Sequence, residues 1–158
     1  IEGDVATARD AERIAACGVP VVQINTRGGC HLEANLVSKA LETIPLEGLD
    51  VLFIENVGNL VCPSEFDLGE DYKVAVCSTA EGADKPLKYP HLFHLCGAVV
   101  LTKKDLAPHV RFDRTLFWKD VESLNGKASR IEVDSLSGEG IDDWVRQVER
   151  WLDKKRGN

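Results

Sequence analysis

Short apolar runs that alternate with stretches of helical periodicity constrain this chain more tightly than any other feature. Val51-Leu52-Phe53-Ile54 and Ala98-Val99-Val100-Leu101 contain no polar residue, the pattern of a central parallel strand covered on both faces. Further strands are expected over 19–24, 72–79 and 128–133. Between them Leu36, Val37, Ala40, Leu41 and Ile44 recur at helical spacing. So do Ile141, Trp144, Val145, Val148, Trp151 and Leu152, all expected to face a core. Helices are also expected over 6–16 and 113–124, and loops over 25–31, 55–71 and 81–90. Strands alternating with helices imply right-handed crossovers and a mostly parallel sheet with helices on both faces. The expectation is a single three-layer α/β/α domain over 1–158.

Composition narrows the function classes. Of 158 residues, 44% are hydrophobic and 28% charged, enough for one ordinary core. A net charge of −7 leaves no broad basic surface for nucleic acid. The basic run Lys154-Lys155-Arg156 falls at the end of an expected helix, where it complements the helix dipole. No apolar stretch approaches the roughly 18–20 residues that cross a bilayer, and no signal peptide is visible. A cytoplasmic protein with no membrane or nucleic-acid partner is expected. Five cysteines, an odd number at irregular spacing, argue against a disulfide framework. The chain opens abruptly at Ile1 and contains no methionine; a preceding segment is expected.

In open α/β sheets, ligands sit beyond the carboxyl ends of the strands. Attention therefore falls on the residues after Ile24, Ile54, Leu101 and Val133. Thr102-Lys103-Lys104-Asp105 follows one strand and resembles the [Asn/Thr]-Lys-x-Asp base-reading motif of GTPases. A carboxylate offers two acceptors side by side, which match the adjacent N1–H and N2–H donors of guanine. Adenine would leave that carboxylate desolvated and unpaired. The plain alternative is a solvated lysine-rich turn.

Asp134-Ser135-Leu136-Ser137 follows the strand ending at Val133. It resembles the GTPase loop whose backbone N–H groups meet the guanine carbonyl, with Leu136 where alanine is usual. A polar, helix-capping turn is the alternative. Glu55-Asn56-Val57-Gly58 has the spacing of the Asp-x-x-Gly element, with Glu for Asp. A carboxylate there can hold Mg²⁺ through its waters, and Gly58 lets a backbone N–H approach a phosphate. An acidic strand cap is the alternative.

No lysine precedes a serine or threonine, so Gly-x-x-x-x-Gly-Lys-[Ser/Thr] is absent. The chain is expected to begin after that phosphate loop, at a second strand with Asp4 at its tip. The piece alone is not expected to hydrolyse GTP. Cys30-His31, placed at a helix start, and Cys62 form a thiolate–imidazole set suited to Ni²⁺ or Zn²⁺. Lone cysteines as core fillers are the competing explanation, and Cys17, Cys77 and Cys96 are expected to be structural.

Taken together, Cys30-His31-Leu32-Glu33-Ala34, the string from Ile54-Glu55-Asn56 through Val61-Cys62-Pro63, and the segments 66–71 and 81–90 strongly resemble the HypB family. These are P-loop GTPases that deliver nickel during nickel–iron hydrogenase assembly. Matching segments run over nearly the whole chain. The resemblance implies GTP or GDP and Mg²⁺ as ligands, and Ni²⁺ or Zn²⁺ at Cys30, His31 and Cys62 in a homodimer interface. It also implies a hydrogenase large subunit and its maturation factors as partners. Asp4 and Glu55 become the Mg²⁺-associated carboxylates, Lys103 and Asp105 the guanine pair. Arg27, Gly28 and Leu136 depart from the pattern. A urease-type nickel GTPase is the alternative within the class, although its metal motif is Cys-Pro-His. A non-hydrolytic metal-binding module is the alternative outside it.

Overall fold

The structure is a computed structural model that describes residues 1–4 and 9–157. They fall into two compact units, Ile1–Glu70 and Asp71–Asn158. Among the described residues all strand pairing is parallel, in a two-stranded and a three-stranded sheet, so the α/β expectation holds at that level.

In the first unit β1 (Glu2–Asp4) lies in register with β2 (Gln23–Asn25). On its other edge β1 meets the extended segment 53–55. The backbone nitrogen of Ile1 donates to the Phe53 carbonyl at 2.8 Å. Glu55 N donates to Ile1 O and Gly3 N to Glu55 O, both at 2.9 Å. The run 51–54 is therefore not the fully buried strand expected. Ile54 packs against the core, but Phe53 is 58% exposed and Val51 and Leu52 remain partly open. An apolar run is buried on both faces only where a layer covers each face, which the run itself cannot specify.

Helix α1 (Arg9–Ala16) precedes β2, and α2 (Ala34–Leu41) follows it. The remainder of the helix expected over 6–16 is outside the described residues. Val37, Ala40 and Ile44 are buried with Ile1 and Leu32, and Leu41 packs against them, the face that helical periodicity indicated. A side chain at Gly3 would meet Leu32 at 2.8 Å, so glycine in β1 makes room for that leucine. A short helix α3 (Cys62–Glu65) interrupts the expected loop, with a proline in its first turn, where a missing N–H costs nothing.

The second unit is built on the order β3 (Val74–Ser78), β4 (Ala98–Thr102), β5 (Ser129–Glu132). Ala98, Val99, Val100 and Leu101 are all buried, so this apolar run is the central strand it was expected to be. One face packs Ala98, Val100, Ile131 and Val133 against Ile141, Trp144 and Trp151. Those last three lie on α7 (Ile141–Arg156). Side-chain alternation sends Val99 and Leu101 to the opposite face.

Where a single loop was expected over 81–90, the chain forms a 3₁₀ turn (Thr79–Glu81) and α4 (Lys85–Lys88), and Pro90 opens α5 (Pro90–Leu95). Helix α6 (Arg114–Leu124) starts at Asp113, whose carboxylate accepts from Leu116 N at 2.9 Å. In α7, Val145 points outward and Gln147 is buried, its amide oxygen accepting from Ser129 Oγ at 2.8 Å. A β5 hydroxyl thus recruits a polar residue where apolar periodicity favoured Val145. Asp142 and Asp143 begin this helix and Lys154, Lys155 and Arg156 end it, the polarity its dipole favours.

Candidate functional site

Because β1, β2 and the segment 53–55 are parallel, Asp4, Asn25 and Glu55 lie at their carboxyl ends. Glu2 is 3% exposed and its Oε2 has no hydrogen-bond partner. Its pKa is raised, first by burial and then by the charges of Asp4, Glu55 and Asp10. Such a concentration of carboxylates is relieved either by a proton or by a cation. Native-state ionisation of Glu2 is disfavoured, so stability should fall as pH rises from the ordinary carboxylate range of about 4.3 through the raised value. Glu2→Gln is expected to stabilise the metal- and nucleotide-free protein at pH 7, with the gain closing toward pH 4. Unfolding curves for the two proteins that coincide at every pH would refute this.

Two loops extend from that sheet edge. In the first, Asn25 Oδ1 accepts from Arg27 N at 2.8 Å, while Thr26 Oγ1 donates to Gly29 O at 2.9 Å. Arg27 and Gly28 both take positive φ (50° and 92°). They form the turn that presents Cys30. Cys30 Sγ lies 3.5 Å from His31 Nδ1, and the imidazole stacks on Phe66 at 3.8 Å with the rings 6° from parallel. Both residues lie in the loop expected over 25–31, just before α2, which begins at Ala34 behind Glu33.

In the second loop Asn59 Oδ1 accepts from Val61 N (2.8 Å) and Cys62 N (3.3 Å), and its Nδ2 donates to Cys62 Sγ at 3.8 Å. The Cys62 thiol is pushed up, first by the Cys30 thiol near it and then by desolvation. Cys30 lies directly against His31. Among the described residues no three His, Cys, Asp or Glu side chains close around one point, so the donor set is open. Cys77 and Cys96 are buried, with pKa values pushed up to about 12 and about 11 mainly by desolvation. Cys17 is exposed, its thiol donating to Arg13 O at 3.5 Å.

In the second unit, Asp105 lines a cleft of about 270 Å³ with Thr79, Leu101, Lys104 and Phe112. Lys103 adopts a left-handed conformation (φ 55°, ψ 41°), which costs a non-glycine residue roughly 1–2 kcal/mol. The buried Thr79 holds it there: Thr79 Oγ1 donates to Lys103 O at 2.6 Å. Thr102 Oγ1 donates to Cys77 O at 3.1 Å. The turn after β4 is therefore shaped by β3 and the residue that follows it.

Ser135 is exposed, and its loop is organised by Asp134, which is buried. Asp134 Oδ1 accepts from Leu136 N (2.9 Å) and Oδ2 from Ser137 N (3.2 Å). The Asp134 carboxyl is held low, chiefly by its hydrogen bonds with Ser137 and Leu136. Asn59, Phe66 and Thr79 carry no individual role in the sequence reading, and Asn56 and Asp134 stand there only as members of motifs. Side-chain amides, carboxylates and hydroxyls in loops, which cap and close turns, are the signal for all but Phe66.

The model for "CobW/HypB/UreG, nucleotide-binding domain" matches residues 1–132. The chain is 51% identical to the hydrogenase maturation factor HypB of Azotobacter chroococcum over 159 residues, covering 99% of this chain and 50% of that one. It is 47% identical to HypB of Escherichia coli K12, covering 99% and 52%. The chain spans about half the length of these curated relatives. The crystal structure of HypB from Helicobacter pylori in complex with nickel matches with a TM-score of 0.90 at 38% identity, over 99% of this chain and 74% of that one.

Proposed function

Because the chain belongs to the HypB branch of the CobW/HypB/UreG nucleotide-binding family, we propose that it is a G domain over 1–158 from a nickel-delivering GTPase of nickel–iron hydrogenase maturation. The observation that carries this is that Cys30 and His31 stand on one loop and Cys62 on another, the two loops joined where His31 stacks on Phe66. These thiols stand on loops that leave the same small sheet as Glu55. Thiolate sulfur and imidazole nitrogen suit Ni²⁺ as cargo, and Zn²⁺ fits the same donors. The helix-covered three-layer architecture belongs to the same reading.

The open donor set is what a homodimer interface completes, with ligands from a second copy. Hydrogenase maturation factors and the hydrogenase large subunit are the proposed partners, and the cytoplasm the proposed compartment. No helix among the described residues is long and apolar enough to cross a membrane.

For the nucleotide, Asp4 and Glu55 are the carboxylates that would hold Mg²⁺; after burial, their charges are the next causes of the raised pKa of Glu2. Mg²⁺ would neutralise the charge of the terminal phosphates. Gly58 offers its backbone N–H to the γ-phosphate of GTP, and Glu55 fixes the loop on which that N–H sits. In the second unit Lys103 lends its stem to the base, Thr102 holds the turn, and Asp105 accepts from guanine N1–H and N2–H. Ser135 stands in the loop that would meet the guanine carbonyl.

The test is base choice in the full-length protein. Asp105→Asn replaces one acceptor by a donor, which faces guanine's own donors but suits the 2-carbonyl of xanthine. GTP affinity should fall roughly tenfold to a hundredfold, the 1–3 kcal/mol of an unpaired desolvated group, while xanthosine triphosphate gains. Competition binding with unchanged guanine preference would remove Asp105 from the site.

A further inference from the structure

We propose that Asn56 is a positioning residue that ties the loop carrying Cys30 and His31 to the loop carrying Glu55, Gly58 and Cys62. Through it, the phosphate state sensed at one end of the second loop is transmitted to the metal-binding thiols. The inference rests on the reading of Cys30, His31 and Cys62 as ligands and adds to it a residue that touches no metal.

Asn56 directly follows Glu55, whose backbone is hydrogen-bonded into β1 on both its N–H and its carbonyl. Its side-chain oxygen accepts from Val57 N at 2.9 Å and from Leu32 N at 2.8 Å. The first bond shapes its own loop. The second spans 24 residues and lands immediately after His31. Leu32 cannot yield by itself, because its side chain is fully buried beneath Gly3 of β1. The backbone from which His31 and Cys30 emerge is therefore held between the core on one side and Asn56 on the other.

Farther out the two loops meet again, through the His31–Phe66 stack. That contact uses a candidate ligand, and an incoming ion would rearrange it. The Asn56 bond lies nearer the sheet, beside Glu55, and uses no candidate ligand atom. Asn59 performs the complementary task by bracing Cys62 through its backbone N–H and its sulfur. Phosphate binding or release at Gly58 thus acts on both loops, through the bond from Asn56 to Leu32 N–H and through the bracing of Cys62 by Asn59.

Outer-shell hydrogen bonds of this kind are typically worth 10–100-fold in metal affinity. The experiment uses the full-length protein. Ni²⁺ is titrated in competition with a chromophoric chelator, with GDP or a non-hydrolysable GTP analogue bound, and thermal unfolding is recorded for each variant. Asn56→Ala should weaken Ni²⁺ binding by about tenfold or more. It should also bring the ratio of affinities in the two nucleotide states toward one. Asn56→Asp, which keeps an acceptor for both N–H groups, should restore most of both quantities.

Wild-type affinity and wild-type ratio in Asn56→Ala, with Ni²⁺ binding lost in Cys62→Ala, would overturn the inference and leave the metal site standing. Retention of Ni²⁺ by Cys62→Ala would overturn the site itself. A wild-type protein whose Ni²⁺ affinity ignores the nucleotide would overturn the coupling. Should Asn56→Ala fail to fold, amide exchange decides. The Leu32 N–H should be protected in wild type and in Asn56→Asp, and exchange at the rate of an open loop would overturn the proposal.

Discussion

Replacing Cys30, His31 or Cys62 by alanine is expected to lower affinity for Ni²⁺ and Zn²⁺ by more than about 100-fold, beyond the loss typical of an outer-shell change. Replacing Cys77, Cys96 or Cys17 should leave affinity unchanged. The physical division is the thiolate. Cys77 and Cys96 are each 2% exposed, with pKa values near 12 and 11, so neither yields the anion that coordinates metal at neutral pH. The Cys62 thiol is also pushed up, but first by the Cys30 thiol near it and only then by desolvation. Metal affinity should therefore fall as pH drops, because each coordinated sulfur has to shed a proton that acid returns. Titration of all six variants, each checked for folding, decides the matter. Equal losses from Cys77→Ala and Cys62→Ala would sink the assignment.

Gly140→Ala should destabilise the second unit by about 3 kcal/mol or more, the sum of a forced left-handed conformation and an overpacked contact. Gly140 sits at φ 83°, and a Cβ there would fall 2.0 Å from the carbonyl oxygen of Glu132 and 3.3 Å from Val133 Cα. Neither atom can retreat, because β5 is held in register by β4 and Val133 N donates to Leu101 O at 2.9 Å. The damage extends to the loop containing Ser135, whose Asp134 N donates to Glu139 O. Gly138→Ala is the control. It has φ 82° but meets nothing within 4 Å, so it carries only the roughly 1–2 kcal/mol conformational cost. Denaturant unfolding that ranks the two variants equally would show that the turn, not the contact, sets the requirement.

What the sequence determined by itself was local chemistry and its order along the chain. An unbroken apolar run followed by Thr-Lys-x-Asp is enough to specify a buried strand with a carboxylate just past its end, and β4 with Asp105 is that arrangement. Asp113 announces the start of α6 in the same way, since a short acceptor placed before a periodic stretch caps it. Cys30, His31 and Cys62 stood out in the sequence as thiol and imidazole donors on expected loops. Burial of Cys77 and Cys96 followed from the apolar residues around them. Residues 51–54 look no different from 98–101 in composition, yet only the latter run is covered throughout, because covering depends on what distant segments stack above and below. The exchange of Val145 for Gln147 on the inner side of α7 was decided by one hydroxyl on β5. The prolines of 61–90 marked helix starts and not only loops. The brace from Asn56 to Leu32 joins residues 24 positions apart. No periodicity encodes such a bond: it forms only after the core has fixed Leu32 and the sheet has fixed Glu55, each by packing that the local sequence does not contain.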